Sequence, residues 1–460
     1  MDNTAQKLAA FAADLNYDDL PPETIERAKL LILDLAGIIV RARHDADSTP
    51  SMMKAMNRLG LDKGECSVLG DAAGYAPPAA AMVNGTLAHS LDFDDTHAEA
   101  SLHSSAPIVP AVLAAAEMTG ASGKDVIAAV VAGYEIQIRL SLALVPSEHY
   151  DRGFHPTATC GVFAAAAAAG KLFGLDADGI VSAFGIALSQ SAGSMQFLAD
   201  GSWTKRSHVG QAAQNGLMCA AMAADGFKGP DQPFEGKWGL FNSHAPNPVW
   251  DTASAELGER WETLRLAVKP YPACRYTHAP MDAILALKEE HGIDPDDVES
   301  IEVGIAETGW KIIGNPLENK QEPETVVDGQ FSMPFCAAVA MRSGPLRWDD
   351  YKTLLQDAGI RDLCRRVEVK VDPRAEAEFP VNMSGVATIR TKSGGTYEKF
   401  VMEPLGEPGN FMSEQQFRAK FDDLAVPYLA EDGANRLADA ILSLEEANSV
   451  RSIMALGRPV

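Results

Sequence analysis

The chain has 460 residues, which is too long for one ordinary hydrophobic core, so two domains are expected. Apolar residues make up 46% and charged residues 22%, a composition that excludes an intrinsically disordered chain. The formal net charge of -24 argues against nucleic acid or an anionic membrane as partner, because both require a basic surface. An anionic substrate would need a local cluster of cations.

Six cysteines are spread along the chain without a CxxC motif. This spacing disfavours a disulfide framework or a cysteine-built metal site, and it fits a reducing compartment. The N-terminus lacks the basic and apolar regions of a secretion signal, and no run approaches the ~18 uncharged apolar residues of a membrane span. We therefore expect a cytoplasmic protein.

Helical periodicity dominates the chain up to about residue 260. Apolar side chains recur at three- and four-residue steps from Glu23 to Ala42, which predicts an amphipathic helix. The alanine run Ala164 to Ala169 favours a helix that other backbones approach closely, so this helix should be central and buried. The predicted helices of this region are 23–42, 106–118, 124–145, 157–174, 178–190 and 208–225.

The pattern changes after Val268, where apolar and polar residues begin to alternate as they do in half-buried strands. Two such segments flank Ser393-Gly394-Gly395, which predicts a hairpin. The predicted strands are 300–304, 366–371, 386–390 and 396–401, with helices at 279–291 and 330–342. The chain then returns to helix at 413–421 and 430–445.

These patterns predict a mostly α fold, a large all-helical domain with an inserted smaller α+β lid domain. We place the all-helical domain at 1–266 plus 403–460, because the last segments resume the helical pattern of the first. The α+β lid domain then comprises 267–402.

Three windows contain no Asp or Glu, although 63 of the 460 residues are acidic. They are Arg152 to Gly174, Gly201 to Ala223 and Thr263 to Met281. Each combines histidine with cations, and the residues are Arg152, His155, Lys205, Arg206, His208, Arg265, Lys269, Arg275 and His278. Such windows supply the cationic cluster that a carboxylate ligand requires.

A fourth segment is acidic and rich in histidine, and it reads HSLDFDDTH from His89 to His97, with His103 shortly after. Aspartates beside histidines are compatible with a metal site, or with acid–base catalysis in which a carboxylate orients an imidazole. The aspartate-rich DDxxD motif of helical terpenoid synthases fits poorly, because its last acid is missing here.

Four motifs carry a resemblance to a known family: LDFDDTH at 91–97, GFHPT at 153–157, DGSWTKR at 200–206 and KPYPACRYTH at 269–278. In this order they resemble the 2-methylcitrate dehydratase family (MmgE/PrpD), which also includes cis-aconitate decarboxylase and iminodisuccinate epimerase. The family architecture, a large helical domain with an α+β lid, agrees with the predicted elements.

The resemblance implies a site, and its catalytic residues would be Asp92, His103, His155, Lys205 and His278. Substrate-binding residues would be Thr96, Arg206 and Arg275, although Arg275 fits only some branches of the family. The family uses no metal and no organic cofactor, acts on small di- or tricarboxylates and forms homodimers. One departure is Ser104 after His103, where many members have proline.

The chemistry of such substrates explains these residue types. Dehydration, decarboxylation and epimerisation all pass near a carbanion beside a carboxylate, whose charge needs aimed cations. Lys205 is the best candidate for that cation, while Arg206 or Arg275 would grip a remote carboxylate. His103 and His155 would act as acid and base, with Asp92 orienting one of them and His278 arriving when the lid closes.

The leading hypothesis is a cofactor-independent lyase of the dehydratase type acting on a 2-methylcitrate-like acid. A decarboxylase of cis-aconitate and an epimerase of an iminodisuccinate-like diacid are the alternatives on the same site. A rival is a metal-dependent helical enzyme using Asp92, Asp94 and Asp95, and a third hypothesis is a non-enzymatic helical scaffold. The roles of His89, His97 and His208 stay open at this point.

Overall fold

The computed structural model describes residues 3–459, and the chain divides into two compact units. One unit is Val268–Met412, and the other is formed by the described residues before and after it. Helices greatly outnumber strands, so the fold is mostly α as predicted. The role of the second unit as a lid stays a prediction.

The first unit begins with a series of helices that agree with the predicted ones and add several short ones. They are α1 (Thr4–Asp14), α2 (Pro22–Asp45), α3 (Thr49–Leu59), α4 (Pro77–Ala88), α5 (Ser105–Thr119), α6 (Gly123–Ala143), α7 (Pro146–Asp151), α8 (Pro156–Leu172), α9 (Ala177–Leu188), α10 (Thr204–Ala224) and α11 (Leu240–His244). Short 3-10 turns occupy Tyr17–Asp19, Met195–Ala199, Trp250–Ser254 and Glu262–Arg265. A two-residue pairing of β1 (Cys66–Ser67) with β2 (Gly74–Tyr75) is too short to produce the alternation that predicts strands.

Helix α6 is the one helix among residues 3–459 that has the length and apolar composition of a membrane span. Its most apolar window is 94% buried inside the structure. Glu135 and Arg139 form an ion pair within it. These features are typical of a central helix in a protein core.

Helix α8 is buried as its alanine run predicted, since Ala164 to Ala169 have no exposed surface. Helix α10 approaches it closely: a Cβ on Gly216 would lie 2.4 Å from the Cβ of Ala165. On its other side, a Cβ on Gly210 would lie 2.2 Å from Thr86 Oγ1 of α4. Glycine at these two positions therefore allows α10 to pack tightly between α4 and α8.

The second unit contains a four-stranded sheet of β3 (Val298–Ile305), β4 (Val367–Val371), β5 (Gly385–Thr391) and β6 (Thr396–Val401), in the order β4-β3-β5-β6. Strand β3 pairs parallel with β4 and antiparallel with β5. The predicted hairpin is confirmed between β5 and β6, where Gly394 has a φ of 96°. All four strands were predicted to within two residues at either end.

The second unit also contains helices, and Ile301, Val303 and Ile389 of the sheet are buried in one apolar cluster with some of their side chains. The helices are α12 (His278–His291), α13 (Glu307–Gly309), α14 (Leu317–Lys320), α15 (Val326–Gln330), α16 (Met333–Arg342), α17 (Asp350–Leu354), α18 (Ala358–Cys364) and α19 (Pro373–Glu378), with 3-10 turns at Arg275–Thr277, Pro295–Asp297 and Pro408–Asn410 and a π-helical turn at Trp310–Gly314.

The first unit ends with α20 (Glu414–Leu442), a 3-10 turn at Leu444–Glu446 and α21 (Arg451–Leu456). Helix α20 is interrupted at Ala430, whose φ is 56°, three residues after Pro427. The proline cannot donate an intrahelical hydrogen bond, which favours a kink here. Before the kink, α20 packs on α2 and carries the buried Lys420.

Candidate active site

Two imidazoles share one carboxylate oxygen in the acidic segment that follows α4. His89 is the residue at which α4 ends, and its Nδ1 lies 2.7 Å from Asp94 Oδ2. His103 Nδ1 lies 3.2 Å from the same oxygen. The side chains of His89 and Asp94 are fully buried, whereas that of His103 is 13% exposed. Of these three residues, only His103 is therefore partly accessible to solvent.

Asp95 has a different set of partners. It is buried and accepts hydrogen bonds from the backbone N–H of Ser104 at 3.3 Å and of Ser105 at 3.2 Å, where α5 begins. Burial, reinforced by the charge of Asp94, raises the pKa of Asp95 to about 7. Asp95 thus fixes the loop that carries His103.

Asp92 faces Lys205, which lies in the first turn of α10. Lys205 Nζ is 3.5 Å from Asp92 Oδ1. Asp92 has a φ of 53°, a left-handed conformation that aspartate tolerates better than most residues. The three aspartates therefore have three separate sets of partners, which argues against a shared metal centre built from Asp92, Asp94 and Asp95.

Between these aspartates the backbone is held by a buried lysine. Lys420 Nζ donates to the carbonyl of Phe93 at 3.1 Å and lies 3.7 Å from the centroid of its ring. The same ammonium pairs with the carboxylate of Asp34 at 2.6 Å. This contact ties α2, α20 and the acidic segment together.

His155 sits at the start of α8 and is 1% exposed. Its ring centroid lies 6.0 Å from that of His89 and 5.7 Å from that of His208 on α10. Within the described residues neither ring nitrogen of His155 has a hydrogen-bond partner. A buried imidazole with both nitrogens unpartnered is costly, and such groups often have a function.

The backbone around His103 is linked to the start of α8. The N–H of His103 donates to Thr157 Oγ1 at 3.2 Å, and Gln137 Nε2 donates to the carbonyls of His103 and Thr157 at 3.4 and 2.9 Å. These bonds hold the loop of His103 beside the helix that begins after His155. The distance between the two imidazoles is therefore set by buried polar contacts.

Burial controls the charges in this cluster. It lowers the pKa of His89 to about 4, against the attraction of Asp94, and the pKa of His155 well below that of free histidine. Burial alone would raise the pKa of Asp94, but His89 and His103 hold it well below its usual range. At neutral pH Asp94 is thus ionised, whereas His89 and His155 are neutral.

His89, Asp94 and His103 are the one group in the described part of the chain with the composition of a metal site, their ligand atoms lying within 4.8 Å of one another. Their nitrogens, however, both lie at hydrogen-bonding distance from one carboxylate oxygen. His89 Nδ1 is hydrogen-bonded to that oxygen, whereas His103 Nδ1 has no hydrogen-bond partner among the described residues, so we interpret the trio as a hydrogen-bonded pair with His103 beside it.

Two other predicted residues of the first unit have partners of their own. Thr96 exchanges backbone hydrogen bonds of 2.8 Å with Ala267 in both directions. The guanidinium of Arg206 pairs with Asp47 and donates to Ser48 Oγ at 3.0 Å. The predicted roles of Thr96 and Arg206 in substrate binding stay predictions.

The remaining predicted residues belong to the second unit. His278 begins α12, is buried, and its Nε2 lies 3.2 Å from the carbonyl oxygen of Ala273. Tyr271 packs edge-on against its ring at 5.3 Å. The guanidinium of Arg275 pairs with Glu407. Their catalytic and binding roles also stay predictions.

The structure adds His89, Asp94 and His208 to the residues that the sequence brought forward. The sequence left their roles open, because an isolated histidine is more often structural. The signal for His89 and Asp94 was their place in the segment HSLDFDDTH, because α4, which ends at His89, was not among the predicted helices. By contrast, His97 pairs with the buried Glu262 at 3.3 Å, and no ring contact links it to the cluster among residues 3–459.

Known proteins are similar to this protein over almost the whole chain. Residues 6–253 match the MmgE/PrpD N-terminal domain, and residues 271–446 match the MmgE/PrpD C-terminal domain. The chain is 29% identical to the cis-aconitate decarboxylase-like protein oryM of Aspergillus oryzae, over 99% of this chain and 97% of that protein. It is 28% identical to a cis-aconitate decarboxylase of Aspergillus terreus, over 98% and 95% of the two chains. Identity to the cis-aconitate decarboxylase of Mus musculus is 24%, over 96% and 91%. The chain therefore belongs to the MmgE/PrpD family.

Proposed function

We propose that this protein is a lyase that acts on a small di- or tricarboxylate, with decarboxylation of cis-aconitate as the first candidate reaction. The observation that carries the proposal is a group of neighbouring contacts: His103 beside the buried Asp94, His155 stacked near His89, and Lys205 beside Asp92. The relatives named above support the reaction type, since they are cis-aconitate decarboxylases or resemble one.

Decarboxylation requires few catalytic groups. When CO2 leaves cis-aconitate, the electron pair of the broken carbon–carbon bond forms an allylic carbanion that a remaining carboxylate stabilises. The ammonium of Lys205 is the cation that would meet this charge, because its side chain lies beside the acidic segment and is partly exposed. One proton must then reach carbon, and His103 is the partly exposed imidazole of the cluster.

Dehydration of a 2-methylcitrate-like acid is the second candidate. It requires a base for the α-proton and an acid for the leaving hydroxyl, whereas decarboxylation requires one proton donor. The presence of both His103 and His155 favours this candidate, because their environments differ in burial and in hydrogen-bond partners. Epimerisation of an iminodisuccinate-like diacid would use the same groups.

The wider predictions belong to the same proposal. They are that the reaction needs no metal or organic cofactor, that the protein is a homodimer and that His278 joins the site when the second unit closes as a lid. Light scattering coupled to size-exclusion chromatography would measure the oligomeric state. Comparison of kcat/KM between the wild type and His278→Ala would test the contribution of that histidine.

The deciding experiment is to incubate the purified protein separately with cis-aconitate, 2-methylcitrate and iminodisuccinate. Release of CO2 identifies a decarboxylase, formation of an unsaturated acid identifies a dehydratase, and a change in optical rotation identifies an epimerase. We expect CO2 release from cis-aconitate. Inactivity towards all three acids in a folded sample would refute the proposed substrates.

A further inference from the structure

His97 closes a tight turn that leads directly into His103. Its backbone N–H donates to the carbonyl of Leu102 at 2.8 Å, and the N–H of Leu102 donates back over 3.4 Å. Inside this 97–102 turn, the N–H of Ala100 donates to Nδ1 of the His97 ring at 3.1 Å. Because Nδ1 accepts a hydrogen bond, the ring carries its hydrogen on Nε2. His103 is the next residue, so the position of the turn sets the position of its backbone.

The Nε2–H of His97 reaches a buried carboxylate outside the turn. It lies 3.3 Å from Glu262 Oε2, and the two side chains are 1% and 0% exposed. The guanidinium groups of Arg260 and Arg265 contact the same carboxylate at 2.8 and 3.3 Å. Burial alone would raise the pKa of Glu262, but the hydrogen bond from His97 and the two guanidinium charges lower it to about 2. The turn is thus bound to a carboxylate that is ionised at neutral pH.

Glu262 is itself fixed to helix α6. Its backbone N–H donates to Oε2 of the buried Glu135 at 3.1 Å, and the N–H of Thr263 donates to Oε1 of Glu135 at 2.9 Å. Two residues further along α6, Gln137 Nε2 donates to the carbonyl of His103 at 3.4 Å. Helix α6 therefore supports the turn through Glu262 and supports His103 through Gln137.

We propose that His97 is a positioning residue, which holds His103 in place by fastening the 97–102 turn to Glu262. An imidazole suits this link because its two nitrogens point in different directions, one into the turn and one towards the carboxylate. The inference rests on the proposed function, in which His103 transfers a proton to carbon. Proton transfer requires a hydrogen-bonding distance, so a shift of about 1 Å in the imidazole can lower the rate by about 10²-fold.

Two hydrogen bonds to neighbouring helices hold the turn independently of the His97 side chain. Ser141 Oγ on α6 donates to the carbonyl of Ala100 at 2.7 Å, and Tyr150 Oη on α7 donates to that of Ser101 at 3.1 Å. Neither bond involves the imidazole. We therefore expect loss of the His97 link to loosen the turn without unfolding the protein.

A second link between the turn and Glu262 runs along the surface and provides the control. Arg265 pairs both with Glu99 of the turn and with Glu262. The side chains of Arg265 and Glu99 are 37% and 60% exposed, and an ion pair this open to solvent contributes little. Glu99→Gln should therefore leave the turn in place, although it lies only two residues from His97.

Two replacements of His97 separate its two side-chain hydrogen bonds. His97→Gln can place an amide N–H near the position of Nε2, so it keeps the donor to Glu262. His97→Asn can place a carbonyl oxygen near the position of Nδ1, so it keeps the acceptor for Ala100 but does not reach Glu262. The first measurement is hydrogen–deuterium exchange of the peptide 97–103, whose amides donate the bonds within the turn.

We expect exchange in the peptide 97–103 to become about tenfold faster in His97→Asn, as the loss of one hydrogen bond to a charged group predicts. In His97→Gln and Glu99→Gln it should stay close to that of the wild type. Unchanged exchange in His97→Asn, an equal acceleration in His97→Gln, or an acceleration spread over the whole chain would overturn the proposal. If His97→Asn does not fold, Glu262→Met decides, because it breaks the same link from the other side and must loosen the same peptide.

Activity provides the second measurement. The kcat of His97→Asn should fall by about 10–100-fold while KM changes little, because proton transfer by His103 is disturbed and Lys205 is not. A lower kcat without faster exchange, faster exchange with an unchanged kcat, or an effect on KM alone would refute the positioning role. If the wild type is inactive on all three acids, the proposed function fails, and the exchange of the variants alone decides the inference about His97.

Discussion

Lys205 Nζ lies 3.5 Å from Asp92 Oδ1, and the two side chains keep 32% and 28% of their surfaces exposed. A pair this long and this open is weak, so a substrate carboxylate can displace Asp92 at little cost. We expect Lys205→Ala to lower kcat/KM by about 10²–10³-fold, as the loss of a charge-stabilising group does. Lys171→Ala on α8 is the control, because Lys171 donates to the carbonyl of Ala13 and makes no contact with the cluster. Equal activity of the two variants would contradict the role of Lys205.

His155 and His149 form a matched pair for separating stability from activity. His149 is buried with both nitrogens partnered, by the carbonyl of His244 at 3.1 Å and by Thr159 Oγ1 at 2.8 Å. We expect His155→Leu to raise the free energy of unfolding by about 1 kcal/mol, because it removes two unpartnered buried polar atoms, and to abolish activity. His149→Leu should lower the free energy of unfolding by about 1–3 kcal/mol. Urea unfolding of both variants measures this, and a destabilised His155→Leu would disprove it.

The fold was largely predictable because the helical periodicity of the first unit and the strand alternation of the second are both strong. The buried alanine run of α8 and the alternation in β3, β4, β5 and β6 placed the principal elements close to their observed bounds. Helix α10 begins at Thr204, four residues before the predicted start at 208, because Thr204 to Ser207 carry no apolar stripe. Lys205 therefore lies on a helix and not in a loop.

The site was less predictable, because local sequence does not reveal which carboxylate an imidazole will meet. The chemistry of the reaction suggested Asp92 as the residue that orients a histidine, and this stays a prediction; the structure places Asp92 beside Lys205 and adds Asp94 beside His89. The left-handed φ of 53° at Asp92 turns the chain between these residues, and no pattern in the sequence encodes it. Partners of this kind are fixed by tertiary packing.

The buried ion pair of Lys420 with Asp34 should matter for both stability and activity. Lys420→Met leaves the carboxylate of Asp34 buried without its cation, which costs about 3–5 kcal/mol in comparable pairs. It also removes the donor to the carbonyl of Phe93, so the acidic segment should loosen and activity should fall. In the double variant Asp34→Leu/Lys420→Met, stability should largely return while activity does not. Full recovery of activity would show that the contact with Phe93 is unimportant.

Removal of metal ions tests the rival centre made of His89, Asp94 and His103. Because Asp94 Oδ2 is already hydrogen-bonded to His89 Nδ1, we expect activity to be unchanged after dialysis against a strong chelator. Metal analysis of the dialysed protein is the control that removal was complete. Lost activity that returns with one particular divalent ion would establish the metal-dependent alternative instead.

Acidification from neutral pH should destabilise this protein through its buried histidines. Burial lowers the pKa of His89 and of His149 to about 4, whereas histidine in the unfolded chain has a pKa of about 6.5. Between these values the unfolded chain binds more protons than the folded one, so the free energy of unfolding falls as the pH drops through this window. Burial raises the pKa of Asp95 to about 7 and also that of Asp34 and Glu135, and these carboxyls act in the opposite direction. Burial also lowers the pKa of His155, which adds to the effect of His89 and His149.

Urea midpoints measured from about pH 7.5 down to about pH 5 would show this slope directly. In His149→Leu one of these buried histidines no longer takes up a proton on unfolding, so the slope should be shallower than in the wild type. Because the slopes of the urea midpoint against pH are compared, a loss of stability of His149→Leu at neutral pH does not affect the result. A wild-type midpoint that stays constant or rises on acidification would show that the buried carboxyls, and not the imidazoles, govern the response.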